Sequence, residues 1–129
     1  MSQKCVAHSI RGTMNSDSHH AIHIPQAIAV YQAAHDCRDV STALAQFAVD
    51  ASVVDDGRTY DGIVGVESFL RNAGSEYTYT RTLVAAQEIA PECWRVTNHL
   101  EGNFPGGHVD LSYEFQLAEG HIARLTIAP

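Results

Sequence analysis

The stretch FAVDASVVDDG, residues 47–57, ends in two adjacent carboxylates that could carry out proton-transfer chemistry. Asp55 stands two residues after Val53, and Asp56 stands two residues after Val54. If the strand points Val53 at the core, Asp55 points there too, because successive side chains alternate between faces. A carboxylate half-buried against apolar walls accepts a proton more readily near neutral pH, since burial disfavours its charged form. The alternative is an Asp-Asp-Gly turn with both acids in solvent.

A phenol and an imidazole one helical turn apart form a second candidate pair. The segment PQAIAVYQAAHDC, residues 25–37, has helical spacing and places Tyr31 and His35 on the same side as Ile28. A buried phenol could donate a hydrogen bond to a substrate oxygen, and His35 could orient that phenol or relay a proton. The alternatives are core packing of Tyr31, with its hydroxyl bonded to backbone, and a histidine satisfied at the helix end.

The remaining histidines and the glycines indicate neither a metal site nor a phosphate site. His19, His20 and His23 have a spacing that could hold a metal ion. However, Asp17 is the only carboxylate near them, and no cysteine is close. The glycines form no phosphate-binding pattern. We therefore expect no metal and no cofactor.

The composition limits the class of protein. The chain has 129 residues, enough for one domain with a substantial core. Its net charge of −7, with only 8 Lys and Arg, argues against nucleic acid or an anionic membrane as a partner. No apolar run reaches the about 18 residues of a membrane span, and the N-terminus lacks the apolar segment of a secretory signal. The odd number of cysteines, without CxxC spacing, favours free thiols in a reducing cytoplasm: Cys5, Cys37 and Cys93.

The order of helical and alternating segments predicts an α+β fold. Residues 1–23 show no sustained period, so we expect a flexible or peripheral leader followed by one domain at 24–129. Helical spacing predicts three helices, at 25–37, 42–49 and 62–73. After Gly74 the period changes to two, and four strands joined by turns follow. Helices followed by a meander of strands are typical of helices gathered on one face of a sheet.

Charge complementarity predicts the register of the central hairpin. If positions whose numbers sum to 209 pair across GNFPGG, Arg95 faces Glu114 and His99 faces Asp110. The opposite face of the hairpin is then almost entirely apolar and must meet the helices. Its members are Trp94, Val96, Asn98, Leu100, Val109, Leu111, Tyr113 and Phe115.

The order of these segments resembles the nuclear transport factor 2-like superfamily, and within it the ketosteroid isomerases and SnoaL-like polyketide cyclases. The resemblance rests on IAVYQAAHDC, on F-A-x-D-A-x-V, on Y-x-G before the third helix and on the four later strands, and it covers roughly residues 24–129. It implies a cone-shaped α+β fold, in which about three N-terminal helices pack on a curved, mainly antiparallel sheet and enclose an apolar pocket. It also implies a homodimer.

The resemblance further implies roles for individual residues. Asp55 falls where ketosteroid isomerases hold their general-base aspartate, and Tyr31 falls where they hold the oxyanion tyrosine. Tyr113 falls where those enzymes hold a protonated aspartate, so this chain departs from their pattern. Two phenols can still donate to a developing enolate, but a phenol is a weaker acid than a carboxylic acid. Substrate contacts are expected from Asn98, His35, Trp94, Val96, Leu100, Phe69 and Phe115.

Functions from different classes remain open. The first is a small-molecule enzyme of isomerase or cyclase type, in which Asp55 takes a proton alpha to a carbonyl of an apolar, polyketide- or steroid-like substrate. The second is a non-catalytic small-ligand-binding or dimerisation module on the same fold. A hydrolase or dehydratase that uses the histidines is a third alternative. In each case we expect a cytoplasmic protein without a nucleic-acid or membrane partner.

Overall fold

The computed structural model describes residues 23–129, so the expected leader and the candidate metal ligands His19 and His20 lie outside the described residues. In that part of the chain, three helices pack on a six-stranded, mainly antiparallel sheet, and the predicted α+β class is confirmed. The elements are α1 Gln26–Asp36, α2 Val40–Leu44, β1 Phe47–Asp55, β2 Arg58–Asp61, α3 Gly62–Asn72, β3 Tyr79–Ala90, β4 Cys93–Gly102, β5 His108–Ala118 and β6 His121–Ala128.

The strand order in the sheet is β2-β1-β6-β5-β4-β3. The pairing of β1 with β6 is parallel, and the other four strand pairs are antiparallel. The four-strand meander therefore returns its last strand to the side of the first. As a result, the C-terminal end of β1, at Asp55, lies beside the C-terminal end of β6, at Ile127.

The hairpin of β4 and β5 has the predicted register along its whole length. On the outer face of the sheet, Arg95 Nη2 lies 2.8 Å from Glu114 Oε2, and His99 Nδ1 lies 2.6 Å from Asp110 Oδ1. His99 Nε2 also lies 2.9 Å from Glu101 Oε2. The complementary pairs are thus formed, and the apolar residues alternate onto the inner face.

The second helix is shorter than the sequence pattern predicts. It follows Asp39, whose carboxylate caps the helix by accepting a hydrogen bond of 3.2 Å from the Thr42 N–H. The helix ends at Leu44, and Phe47 begins β1. The predicted helix over residues 42–49 was wrong because a short apolar run fits either period, and here pairing with β6 decides the outcome.

A tight turn gives the two adjacent acids different environments. Asp56 and Gly57 have φ angles of 56° and 78°, and they join β1 to β2 with Asp55 paired to Arg58. Two successive residues with positive φ are typical of the type I′ hairpin turn, which favours Asp-Gly. The sequence pattern did not predict β2. In the folded chain Asp56 is exposed at the turn, whereas Asp55 is still part of the strand.

The core lies between the helices and the inner face of the sheet. The fully buried side chains include Ile28 from α1 and Val66, Phe69 and Leu70 from α3. The sheet contributes Val53, Val96, Phe115, Ile122 and Leu125. Among the described helices, none is long and apolar enough to cross a membrane.

Gly102 is required where the end of β4 meets the start of β3. A Cβ at this position would clash with the carbonyl oxygen of Thr78 and would lie 2.8 Å from the Cα of Tyr79. We predict that Gly102→Ala lowers the free energy of unfolding by about 1–3 kcal/mol, the usual cost of overpacking, in urea denaturation. Gly120→Ala is the control, because its methyl group meets nothing within 4 Å and tests only the strain of a φ of 81°. A Gly102→Ala variant as stable as the wild type would contradict this prediction.

Candidate active site

A cavity of about 240 Å³ lies between the helices and the inner face of the sheet. Helices α1 and α3 and five of the strands contribute to its lining. Six of the ten residues that sequence analysis assigned to the site line this cavity: Tyr31, His35, Asp55, Phe69, Leu100 and Tyr113. The three residues expected to perform chemistry are therefore brought together around one space.

The other four residues assigned to the site, which were expected to contact the substrate, do not line the cavity. Val96 and Phe115 are fully buried in the core, and Trp94 packs against that core. Asn98 is buried too, but side chains of the protein satisfy its polar atoms. These residues do not reach the cavity because of their positions along the strands. On β4, the inner face packs into the core from Trp94 onward, and it reaches the cavity only at Leu100.

Asp55 is the carboxylate of this cavity. It is half-buried at the end of β1, in phase with Ala51 and Val53, which are fully buried. Burial, and after it the neighbouring charge of Asp56, raises the pKa of Asp55 above its ordinary value. A carboxylate with a raised pKa is a stronger base once it is ionised, as proton abstraction near neutral pH requires.

The sheet places Asp55 and Tyr113 on either side of Ile127. Ile127 pairs with Asp55 across the β1–β6 pair and with Tyr113 across the β5–β6 pair. Because neighbouring strands lie about 4.8 Å apart, the backbones of Asp55 and Tyr113 are separated by about 10 Å. All three residues line the cavity. A molecule resting on Ile127 would thus meet a carboxylate on one side and a phenol on the other.

Tyr31 is held by rings on three sides. Its ring meets Phe47 edge-on at 5.5 Å between centroids and Phe115 at 5.9 Å, and it stacks on His35 at 5.9 Å. Burial, and after it the proximity of Tyr113, raises the pKa of Tyr31 well above its ordinary value. The phenol therefore keeps its proton at neutral pH and can donate a hydrogen bond to an oxygen in the cavity.

Two further phenols share this environment. The pKa of Tyr113 and that of Tyr79 are both raised, in each case mainly by burial, so both side chains are neutral hydrogen-bonding groups. Tyr79 was not among the residues expected at the site. In YTYTR it alternates with Thr80 and shares the face of Arg81, but neither residue was expected there.

His35 is an uncharged group of the site. It lies between Tyr31 and Phe69, with its ring stacked 6.2 Å from that of Phe69. Burial, followed by the charges of Arg38 and Arg81, lowers the pKa of His35 to about 4. At neutral pH its imidazole can donate or accept a hydrogen bond, but it carries no charge.

A buried polar network lies behind the phenols. Arg81 donates from Nε to Asp36 Oδ1 at 2.9 Å and from Nη2 to Asp36 Oδ2 at 2.7 Å, and its Nη1 donates to Asn98 Oδ1 at 3.1 Å. Asn98 Nδ2 in turn donates to Gln32 Oε1 at 2.7 Å. Sequence analysis gave no role to Asp36 or Gln32. Gln32 could have been noticed, since it is four residues after buried Ile28 on the same helix face.

The rest of the lining was not assigned to the site from the sequence, although Val109 and Leu111 were expected on the inner face of the sheet. Tyr77 and Phe104, which come from two different loops, meet edge-on at 5.9 Å between ring centroids. The remaining lining residues are small or aliphatic: Ala73, Gly74, Val109, Leu111 and Ile127. Within residues 23–129, no cluster of three His, Cys, Asp or Glu side chains could hold a metal ion.

Comparison with known proteins gives the family. No family model and no curated protein match the sequence. Among solved structures, a candidate polyketide cyclase from Sinorhizobium meliloti has a TM-score of 0.75 and 30% identity, over 81% of this chain and 95% of its own. A ketosteroid isomerase-like protein from Catenulispora acidiphila, in complex with trimethylamine, has a TM-score of 0.72 and 16% identity, over 83% and 87% of the two chains.

A Mycobacterium tuberculosis protein in complex with estradiol-17beta-hemisuccinate is also similar, with a TM-score of 0.66 and 18% identity, over 80% of this chain and 90% of its own. The two more distant structures show the fold alone. The S. meliloti structure is similar in sequence as well and spans nearly the whole domain. The chain therefore belongs to the nuclear transport factor 2-like superfamily, in the branch of SnoaL-like polyketide cyclases and ketosteroid isomerases, as the sequence predicts.

The raised pKa of Asp55 predicts a change of stability with pH. A carboxyl group whose pKa is raised by folding contributes stability below its unfolded pKa, and this contribution is lost as pH rises through the folded pKa. Asp55→Asn cannot ionise, so its stability relative to the wild type should increase from acidic to neutral pH in urea denaturation. Asp50→Asn, at an exposed position of the same strand, is the control. An Asp55→Asn effect that is the same at every pH would contradict the assignment.

Proposed function

We propose that this protein is a small-molecule enzyme of isomerase or cyclase type, with Asp55 as the general base and Tyr31 and Tyr113 as donors to an oxyanion. One observation carries the proposal: a carboxylate with a raised pKa lines the same cavity as two protonated phenols. Perturbed titratable groups gathered in one concave space are typical of catalytic sites.

In the proposed reaction, Asp55 removes a proton from the carbon next to a carbonyl group. The electron pair of the broken C–H bond forms a C=C bond while the π pair of the carbonyl moves to its oxygen, and this enolate oxygen accepts hydrogen bonds from Tyr31 and Tyr113. Isomerisation applies to a substrate with a C=C bond beside the deprotonated carbon. The dienolate then takes the proton back from Asp55 at the far end of that C=C bond, and the double bond moves into conjugation with the carbonyl. Cyclisation is complete when the enolate carbon attacks a second carbonyl of the same molecule, whose oxygen then takes the proton from Asp55.

The size of the cavity and the relatives support a compact, mostly apolar substrate with a carbonyl group. A volume of about 240 Å³ lies just below the ~300–1,000 Å³ of usual small-molecule pockets. The similar structures include a candidate polyketide cyclase and a protein bound to a steroid ester. We propose a polyketide- or steroid-like carbonyl compound. This pocket would be the hollow of the cone-shaped fold that the family resemblance implies.

One observation favours the alternative, a non-catalytic binding module. The pKa values of Tyr31 and Tyr113 are raised by burial, which makes each phenol a weaker acid and a weaker donor to an anion. In a binding module the same groups would orient a neutral ligand, and Asp55 would accept one of its hydrogen bonds. The two functions differ in whether Asp55 exchanges a proton with the ligand.

A pair of probes with the same skeleton separates the two functions. 2-Tetralone has exchangeable protons next to its carbonyl, and 2-naphthol resembles its enol. We predict that the wild type accelerates exchange of these protons with D₂O, measured by NMR, and that Asp55→Asn lowers the rate by about 10²–10⁴-fold, the usual contribution of a general base. The affinity for 2-naphthol should not fall, because the variant keeps the shape of the cavity. Acceleration by the wild type should weaken in acid, where Asp55 is protonated.

Asp50→Asn is the matched control for this experiment, because it removes a carboxylate from an exposed position of β1. It should exchange the protons of 2-tetralone as fast as the wild type does. Equal exchange rates for Asp55→Asn and the wild type, with both proteins binding 2-naphthol, would refute the enzyme and support the binding module.

We also propose a homodimer, formed through the outer face of the sheet. On this face the ion pair of Arg95 with Glu114 and the hydrogen bonds of His99 with Asp110 present an ordered array of charges. The pKa of His99 is raised by its hydrogen bond to Asp110 and by that to Glu101, which favours a charged imidazolium on this face. We predict a dimer mass in light scattering. A monomer mass that does not change with concentration would refute the dimer.

A further inference from the structure

Arg81 is a largely buried cation whose side chain is fixed by its partners. Its side chain is 14% exposed and that of Asp36 is 18% exposed. Two parallel hydrogen bonds to Asp36 hold the plane of the guanidinium, and a third donor reaches Asn98. Taking such a pair out of water is costly, and apolar residues of similar volume often stabilise a protein equally well. Stability alone is therefore a weak reason for this pair, which lines a small cavity beside Tyr31 and Tyr113.

Arg81 determines how Asn98 is oriented. A guanidinium can only donate, so the Asn98 atom that faces Arg81 must be its carbonyl oxygen. The amide nitrogen of Asn98 then points the other way, and it donates to Gln32 at 2.7 Å. Tyr113 is a diagonal neighbour of Asn98 on the inner face, because Val96 pairs with Tyr113 and Asn98 pairs with the residue two positions earlier on β5.

The orientation of Asn98 directs the phenol of Tyr113. The side chain of Asn98 acts against burial by favouring the ionised form of the neighbouring Tyr113 phenol. Because Asn98 Oδ1 accepts from Arg81, the group that Asn98 can turn toward the Tyr113 oxygen is its amide N–H. An N–H at that place leaves the hydroxyl proton of Tyr113 to point away from Asn98. Since Tyr113 lines the main cavity, that space is where the proton can be donated.

Arg81 also lies near the phenols, and its charge acts on their pKa values. A smaller cavity of about 10 Å³, room for about one water molecule, is lined by Arg81 together with Tyr31, Tyr79 and Tyr113. The charge of Arg81 lowers the pKa of each of these phenols, although burial outweighs this effect. A negative charge that develops near Tyr113 would therefore be stabilised by the buried guanidinium.

We propose that Arg81 is a positioning residue that acts through Asn98 to make Tyr113 the donor to an oxyanion bound in the cavity. The inference rests on the proposed function for what the oxyanion is, namely an enolate. It adds a reason why a phenol can stand where related enzymes use a carboxylic acid. Arg81 is a fixed cation near the Tyr113 phenol. It orients the amide of Asn98, and that amide in turn orients the phenol hydroxyl.

The test measures oxyanion stabilisation directly, without turnover. 2-Naphthol absorbs and emits at different wavelengths when neutral and when ionised, so the ionised fraction of the bound probe can be followed against pH. The experiment uses the full chain carrying Asp55→Asn, because the carboxylate would repel the probe's anion. In this background Arg81→Gln should lower the ratio of ionised to neutral bound 2-naphthol by about tenfold, the size of one hydrogen bond to a charged group.

A double-mutant cycle shows whether Arg81 acts through Tyr113. With Tyr113→Phe present, Arg81→Gln should have no further effect on the ionised fraction. An equal loss in the presence and absence of the Tyr113 hydroxyl would overturn the proposal, as would no loss at all. Arg71→Gln, which breaks the exposed ion pair to Glu67 on α3, is the matched control and should leave the fraction unchanged.

Two measures keep the outcome interpretable. If Arg81→Gln does not fold because Asp36 loses the opposite charge of Arg81, the double variant Asp36→Asn with Arg81→Gln removes both charges, and the same loss is expected of it. If the wild type fails to exchange the protons of 2-tetralone, the acid–base function is refuted, but ionisation of bound 2-naphthol still tests Arg81. A protein that does not bind 2-naphthol at all would overturn both proposals.

Discussion

The parallel pairing of β1 with β6 is the constraint on which the arrangement of the site depends. It places the end of β1, at Asp55, beside β6, the last strand of the four-strand meander. Pairing to β6 through Ile127 then relates Asp55 to Tyr113 on the next strand. The spacing between Asp55 and Tyr113 is therefore set by the hydrogen-bonded sheet, which is more rigid than a loop.

The turn at Asp56 completes this constraint. A strand that slips by one residue exchanges its two faces, and here that slip would turn Asp56 inward and Asp55 outward. The tight turn with positive φ at Asp56 and Gly57 holds the register of β1 against β2. The same turn leaves the charge of Asp56 near enough to help raise the pKa of Asp55. The turn at Asp56 and Gly57 thus orients the Asp55 carboxylate and also raises its pKa.

The sequence predicts those features that depend on alternation and on charge pairing. The register of the β4–β5 hairpin and the inward phase of Asp55 follow from period-two alternation, and helical spacing places Tyr31 inward. Alternation cannot tell how far along a face the core is filled, so Trp94, Val96 and Phe115 were expected at the cavity although they belong to the core. Nor can it foresee the ion pair of Arg81 with Asp36, because the partners are 45 residues apart and meet only after the sheet has packed on the helix.

In the proposed reaction, the charges around the cavity favour movement of negative charge away from Asp55. Before proton transfer the negative charge belongs to Asp55, and the imidazole and phenols around it are neutral. After transfer Asp55 is neutral and the charge lies on the oxygen of the enolate, toward Tyr113 and the buried guanidinium of Arg81. The charge thus moves away from Asp56, which repels it, and toward a fixed cation, which attracts it. Interactions that strengthen as the charge moves lower the barrier rather than merely binding the substrate.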